Sequence, residues 1–273
     1  MQYYNPNPKE SVFLISDNKG TQPKYKDKMY WYKINMLGNE GLAEELSSLV
    51  LSYAVTDTQN PIYFVKYEQT KIGNQIGCKS ANFLYEGEQY ISLQNIYKNL
   101  THDELSEKIF SISDETNRFA YLIDYFKKNI NLDLTNYIKT CITLDFIICN
   151  PDRHYGNLGV IKRSDGTFKE APIFDNGQGL GQNYQITDPL MTNEERTEKL
   201  TAATLCGSFS KALQICNGPI FKLDYINLLS ALNDYPNSIA KNFLIYNLKK
   251  IEPILNKDYI SNQINNYDDY ENL

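Results

Sequence analysis

Two stretches hold residues whose types and spacing suit phosphoryl transfer. The first is Asn150-Pro151-Asp152-Arg153-His154-Tyr155-Gly156-Asn157; the second, Ile173-Phe174-Asp175-Asn176-Gly177, places Asp175 eighteen residues after Asn157. That chemistry needs one carboxylate to receive the proton of the attacking hydroxyl, and an amide oxygen with a second carboxylate to hold magnesium against nucleotide phosphates. Asp152 fits the first role; Asn157 and Asp175 fit the second. Each aspartate also has a plainer reading, Asp152 as a turn cap and Asp175 as an Asx-turn with its glycine. The surrounding elements decide between them.

Upstream, Asp133 is placed to cap a helix whose buried stripe is Leu134, Tyr137, Ile138, Cys141, Leu144 and Ile148. Pro151 is expected to stop that helix and hold the loop rigid. Downstream, residues 158–162 and 168–174 read as strands around Ser164-Asp165-Gly166-Thr167, and Asp-Gly between apolar runs is a hairpin signal. The hairpin returns Asp175 to Asn157. His154 is expected to pack beneath Asp152, and Arg153 to hold a carboxylate or phosphate. With only His102 and His154 in the chain, a zinc site is not expected.

The N-terminal part supplies the charges. Residues 29–35 read as a strand with Tyr30, Tyr32 and Ile34 on one face and Trp31 and Lys33 on the other. Residues 11–16 read as its hairpin partner, joined through Gly20-Thr21-Gln22-Pro23-Lys24, where a glycine lets backbone amides approach a phosphate and Lys24 adds charge. A mid-strand lysine is usually a snorkelling edge residue. Here a helix follows, with Leu42, Leu46, Leu49 and Tyr53 at helical spacing. A helix glutamate paired with a strand lysine fixes that lysine on phosphates. Glu40, Glu44 and Glu45 are all candidates, and at least two of them are expected in a solvated acidic first turn.

The remainder is coarser. Residues 61–67 read as a strand and 76–89 as turn-rich, which places a lobe boundary at about 83–90 and divides the chain into 1–88 and 89–273. Thr101 and Glu104 form an expected capping box. Residues 114–129 read as a helix, 177–201 as a polar substrate or activation segment, and 221–247 and 251–264 as closing helices, followed by an acidic end.

A net charge of −6 and a pI near 5.1 do not advertise nucleic-acid binding, and no run approaches the apolar length of a membrane span. Five scattered cysteines without paired short spacings read as reduced thiols of a cytoplasmic protein, with signal-less export left open.

The stretches 150–159 and 171–177, with Gly20 to Lys24 and Trp31-Tyr32-Lys33-Ile34, resemble the HipA-like serine/threonine kinase family. The resemblance covers most of the chain, and its Asn-x-Asp-Arg-His-x-x-Asn motif is specific. It implies an α+β, bilobal, protein-kinase-like fold with a small β-rich lobe and a larger helical lobe, using ATP and Mg2+ on a protein substrate. Asp152 looks like the base, Asn157 and Asp175 like the metal ligands, Lys33 like the phosphate lysine and Glu44 like its partner, with Gly20, Gln22 and Lys24 on the phosphates. The chain is similar to the shorter HipA-like proteins, including the compact secreted kinase type. Only about ten residues precede its first expected strand, which counts against antitoxin binding through an added N-terminal subdomain; an antitoxin or host partner is not readable. Phosphoinositide kinases share Asp-Arg-His-x-x-Asn, which makes a lipid kinase one alternative. A pseudokinase binding module is the other.

Overall fold

The computed structural model describes residues 2–4, 22–27, 29–36, 38–56, 60–182, 188 and 190–255. The expected strand at 11–16, Gly20 and the acidic end lie outside them. The N-terminal part comprises β1 (Gln2–Tyr4), β2 (Lys24–Lys26), β3 (Tyr30–Ile34), α1 (Glu40–Ser52), β4 (Ala54–Val55), β5 (Tyr67–Ile72) and β6 (Gln75–Ala81). Five of these strands form a sheet in the order β1-β5-β6-β3-β2, parallel only between β1 and β5.

Alternation along β3 divides its labour. Tyr32 and Ile34 pack with Ile72 on one face, which leaves Lys33 to the other. β2 pairs with β3 so that Lys24 stands opposite Lys33; Lys24 is therefore a strand residue and not part of the expected loop. Asp27 makes the turn between them, accepting the Met29 and Tyr30 amides at 2.8 and 2.7 Å.

Two expectations shift here. The strand expected at 61–67 begins only at Tyr67, and the turn-rich reading of 76–89 gives way to β6. The turn is earlier, at Gly73 with φ 57°, and the hairpin it closes pairs Ile72 with Gln75. Gly77 therefore marks a close approach: a Cβ there would lie 2.0 Å from the Lys33 carbonyl oxygen.

The larger part begins with β7 (Gln89–Ser92), α2 (Leu93–Thr101), α3 (Leu105–Phe110), α4 (Thr116–Ile130) and α5 (Thr135–Ile148). The expected capping box is absent. Thr101 ends α2, and its hydroxyl bonds back to the Tyr97 carbonyl, while Glu104 pairs with Lys98 at 2.5 Å. Ser92 caps α2 instead, accepting the Asn95 amide at 3.1 Å. α5 buries the anticipated stripe in the main hydrophobic core, which also takes Leu122 and Phe126 of α4. It ends at Cys149, a left-handed residue with φ 48°, two positions before the proline expected to stop it.

β8 (Gly159–Lys162) and β9 (Phe168–Glu170) form the expected hairpin, with Gly166 at φ 85°, and join β7 in a three-stranded sheet. Then come α6 (Asn193–Lys199), α7 (Phe209–Ile215), β10 (Lys222–Leu223), α8 (Tyr225–Leu232) and α9 (Ile239–Leu255). α6 lies in the stretch expected to be polar and irregular, and a Thr192–Glu195 capping box starts it. The single helix expected over 221–247 is broken twice: residues 222–223 pair with β4, and Pro236 cannot continue α8. The helix expected at 251–264 is the end of α9 as far as Leu255; the rest lies outside the described residues.

The architecture is the expected α+β one, a small sheet-rich part followed by a larger helical part. All five cysteines are buried and free. Among the described residues no helix is long and apolar enough to cross a membrane.

Gly77→Ala should destabilise the protein by about 1–3 kcal/mol, because the added carbon meets backbone that cannot rotate away. Urea unfolding of the variant checks this; an unchanged midpoint would contradict the close approach of β6 to β3.

Candidate active site

Lys33 sits at the centre. Its Nζ donates to Glu44 Oε1 at 2.5 Å and to Asp175 Oδ1 at 2.6 Å, and it lies 5.2 Å from the centre of the Tyr67 ring. Three elements meet there: β3, α1 and the segment after β9. The lysine side chain is 10% exposed, that of Glu44 1% and that of Asp175 26%. Burial pulls the Lys33 ammonium down, yet the Asp175 and Glu44 carboxylates outweigh it and hold its pKa well above the ordinary lysine value. For Asp175, burial pushes upward but Lys33, then Lys24, hold the carboxyl well below the usual range.

The three glutamates of α1 are not a solvated acidic turn, because Glu40 and Glu44 are both buried. Glu40 accepts the Met36 and Gly38 amides at 3.2 and 3.0 Å and so orders the entry to its own helix. Glu44 reaches Lys33 with one oxygen and accepts the Asn176 amide at 2.7 Å with the other. Glu45 points elsewhere, to the Gln69 amide and the Tyr235 hydroxyl. Of the three candidates left open by spacing, Glu44 is the one the fold presents to Lys33.

The loop after α5 is held from below by Arg153. This fully buried guanidinium binds both oxygens of Asp145 at 3.1–3.2 Å, the Phe174 carbonyl at 2.7 Å, and the Asn176 side-chain oxygen. It therefore holds a carboxylate and staples the 150–157 loop to the segment bearing Asp175. Asn150 accepts the Asp152 amide at 3.1 Å, and the Asn157 amide group donates to the Asp152 carbonyl at 3.0 Å. The latter bond occupies the nitrogen of Asn157 and leaves its oxygen for a ligand.

Asp152 stays 53% exposed at its side chain. Partial burial and the Asp175 charge push its pKa up, against His154 and Arg153, which lower it. His154 does not pack beneath Asp152. It is exposed beside it, with Nε2 4.0 Å from the carboxylate and Nδ1 accepting the Gly156 amide at 3.1 Å.

Of the remaining expected residues, Gln22 donates to the Ile34 carbonyl at 3.3 Å, and Lys24 is close enough for its charge to lower Asp175. Gly20 lies outside the described residues. Trp31 donates to Asn82 at 3.2 Å, while Phe83, Phe174 and Tyr90 form an aromatic cluster with ring centres 5.2–6.4 Å apart. Asp145, Asn176 and Thr204, whose hydroxyl donates to the Arg153 carbonyl, were missed from sequence. For Asp145 a signal existed: it is an acid in the apolar run Thr143-Leu144-Asp145-Phe146.

Among the described residues no group of three or more His, Cys, Asp and Glu is arranged to hold a metal. Magnesium needs less than that, since it is bound through one or two protein oxygens with phosphates and water completing the shell. Asp175 Oδ2, which is free of the Lys33 bond, and the Asn157 oxygen are donors of that hard type.

The fold is the bilobal, kinase-like one that the HipA-like resemblance implies. The solved structure of the Helicobacter pylori proinflammatory kinase CtkA superposes with a TM-score of 0.64 at 14% identity, over 93% of each chain, and so shares the fold. HipA of Shewanella oneidensis MR-1, solved with HipB and operator DNA, is a looser likeness: TM-score 0.41, 11% identity, over 91% of this chain and 68% of that one. No family model and no curated protein sequence matches.

Lys33→Met should cost about 3 kcal/mol, because it leaves two mostly buried carboxylates without their counter-charge. It should also flatten the local pH dependence. In the wild type the depressed Asp175 adds stability above the unfolded aspartate pKa and loses it as pH falls through the folded one. In the variant Asp175 lacks the charge that depresses it most, so less stability is lost as pH falls, while Glu44, already raised by burial in the wild type, keeps its direction. Chemical unfolding at several pH values between about 2 and 6 would contradict the account if the variant kept the wild-type slope.

Proposed function

We propose that this protein is a kinase that transfers the γ-phosphoryl group of ATP, with Mg2+, to a serine or threonine hydroxyl of a protein. The observation that carries the reading is Lys33 held by Glu44 and Asp175 beside the loop that bears Asp152 and Asn157. A buried ammonium fixed by two carboxylates at the seam of sheet and helices is how phosphoryl-transfer enzymes preorganise charge for phosphates. The shared fold with a bacterial kinase supports it.

The residues divide the work as follows. Lys33 binds phosphate oxygens, and Glu44 keeps its ammonium in place. Gln22 and Lys24 line the phosphate side. Asp175 and Asn157 would hold magnesium, which when bound offsets charge on the nucleotide phosphates. Asp152 orients the attacking hydroxyl and accepts its proton. Trp31 and the Phe83–Tyr90–Phe174 cluster offer aromatic surface for the base. We place the boundary between lobes at 88/89, and the pairing of β7 with β8 of the larger part supports that reading. Five buried free thiols support a reducing compartment such as the cytoplasm. A substrate protein is the expected partner.

Asp152→Asn should lower transfer of labelled phosphate to protein hydroxyls by about 10²–10⁴-fold; a wild-type rate would remove the base role, and label on phosphoinositide vesicles alone would replace protein by lipid. The rate should also fall on the acid side through a pKa above the ordinary aspartate value of about 3.9. His154→Gln removes the charge that lowers the Asp152 pKa, so its acid limb should move to higher pH while the plateau holds. An acid limb that moves down, or not at all, would contradict the assignment.

A further inference from the structure

α1 carries two adjacent glutamates that face different ways, because neighbouring residues lie about 100° apart around a helix. Glu44 meets Lys33. Glu45 clasps two other elements with one carboxylate: Oε2 accepts the Gln69 amide of β5 at 3.1 Å, and Oε1 accepts the Tyr235 hydroxyl at 3.3 Å. Tyr235 is 190 residues away, in the connection between α8 and α9. That connection is itself fixed, since Lys241 Nζ donates to the Tyr235 carbonyl at 2.7 Å. Farther along, the Asp224 amide donates to the Tyr53 carbonyl at 2.9 Å, and β4 pairs with β10. The C-terminal helical part thus grips α1 at its end through backbone and at its middle through one side chain. The side-chain grip lies a single residue from Glu44.

We propose that Tyr235 is a positioning residue of the nucleotide site, acting through Glu45 to hold α1 where Glu44 engages Lys33. The inference rests on the kinase reading above. Tyr235 bonds to none of Lys33, Glu44, Asp152 or Asp175, so its effect passes through the helix. Burial and the Glu45 charge push the phenol up to about 12, so the hydroxyl remains a donor throughout the neutral range. With that donor removed, Glu45 Oε1 loses its partner and α1 loses its side-chain tie to the connection between α8 and α9. The ammonium of Lys33 then loses its fixed direction, and groups that bind through phosphate suffer.

The test uses the full chain, with Tyr235→Phe, Glu45→Gln and the double variant. Affinities for Mg-ATP and for adenosine are measured by displacement of a fluorescent nucleotide, with the thermal midpoint taken on the same samples. Each single variant should weaken Mg-ATP binding about five-fold, the scale of one ordinary hydrogen bond. Both changes weaken the same contact, so the double variant should lose less than the product of the two single losses. Adenosine, which has no phosphate for Lys33, should bind as before, and the midpoint should hold. Unchanged Mg-ATP affinity in both single variants overturns the inference, as does a parallel loss for adenosine or full additivity. If the unsubstituted chain binds no Mg-ATP, the kinase reading falls and this inference with it; binding by that chain with indifferent variants overturns the inference alone.

Discussion

The structure turns on one ammonium group placed between two carboxylates. Removing Lys33, Glu44 and Asp175 from water is costly, and only close pairing offsets it. The pairing is close at 2.5 and 2.6 Å, and it links β3, α1 and the segment after β9. Two carboxylates against one ammonium leave the cluster negative. Asp175 engages Lys33 through Oδ1, which leaves Oδ2 as a hard donor of the kind that the proposed metal would need.

The rest of the molecule keeps those three groups in register. β3 alternates so that its aromatic face enters a small cluster with Ile72 and Lys33 projects from the opposite face. Gly77 admits the backbone behind Lys33 because it has no side chain. Arg153 ties the Asp152 loop to α5 through Asp145 and to the Asp175 segment through Phe174 and Asn176. Asn176 then passes its amide to Glu44, so the chain of bonds from α5 to α1 is continuous. A buried network in which each member is satisfied fixes a unique geometry. Exposed Asp152 is held at the rim of this network by Asn150 and Asn157.

The candidate site residues were more legible than the elements that carry them. Asp152, Asn157 and Asp175 are visible because their spacing is local, and the Asp-Gly turn at 165–166 announces the hairpin between them. Lys33 was legible through period-two alternation along β3 together with the glutamate-bearing helix that follows it. The choice among Glu40, Glu44 and Glu45 was not, since all three suit a helix start and only tertiary packing distinguishes them. The same limit explains β6: Gly77 reads as a turn until the Lys33 carbonyl beside it is known. It also explains β10, two residues whose strand state depends on β4, over 150 positions upstream. α6 is different, since its Thr192–Glu195 capping box stood in the sequence and was passed over for the glycines before it.

The central claim is that the Lys33–Glu44–Asp175 cluster is a site for nucleotide phosphates with their metal. Calorimetric titration of the full chain with ATP, in the presence of magnesium and then of excess chelator, tests it most directly. The account predicts one binding event per chain with magnesium and a large loss of affinity without it. Binding of equal strength in both conditions, or none in either, would contradict it.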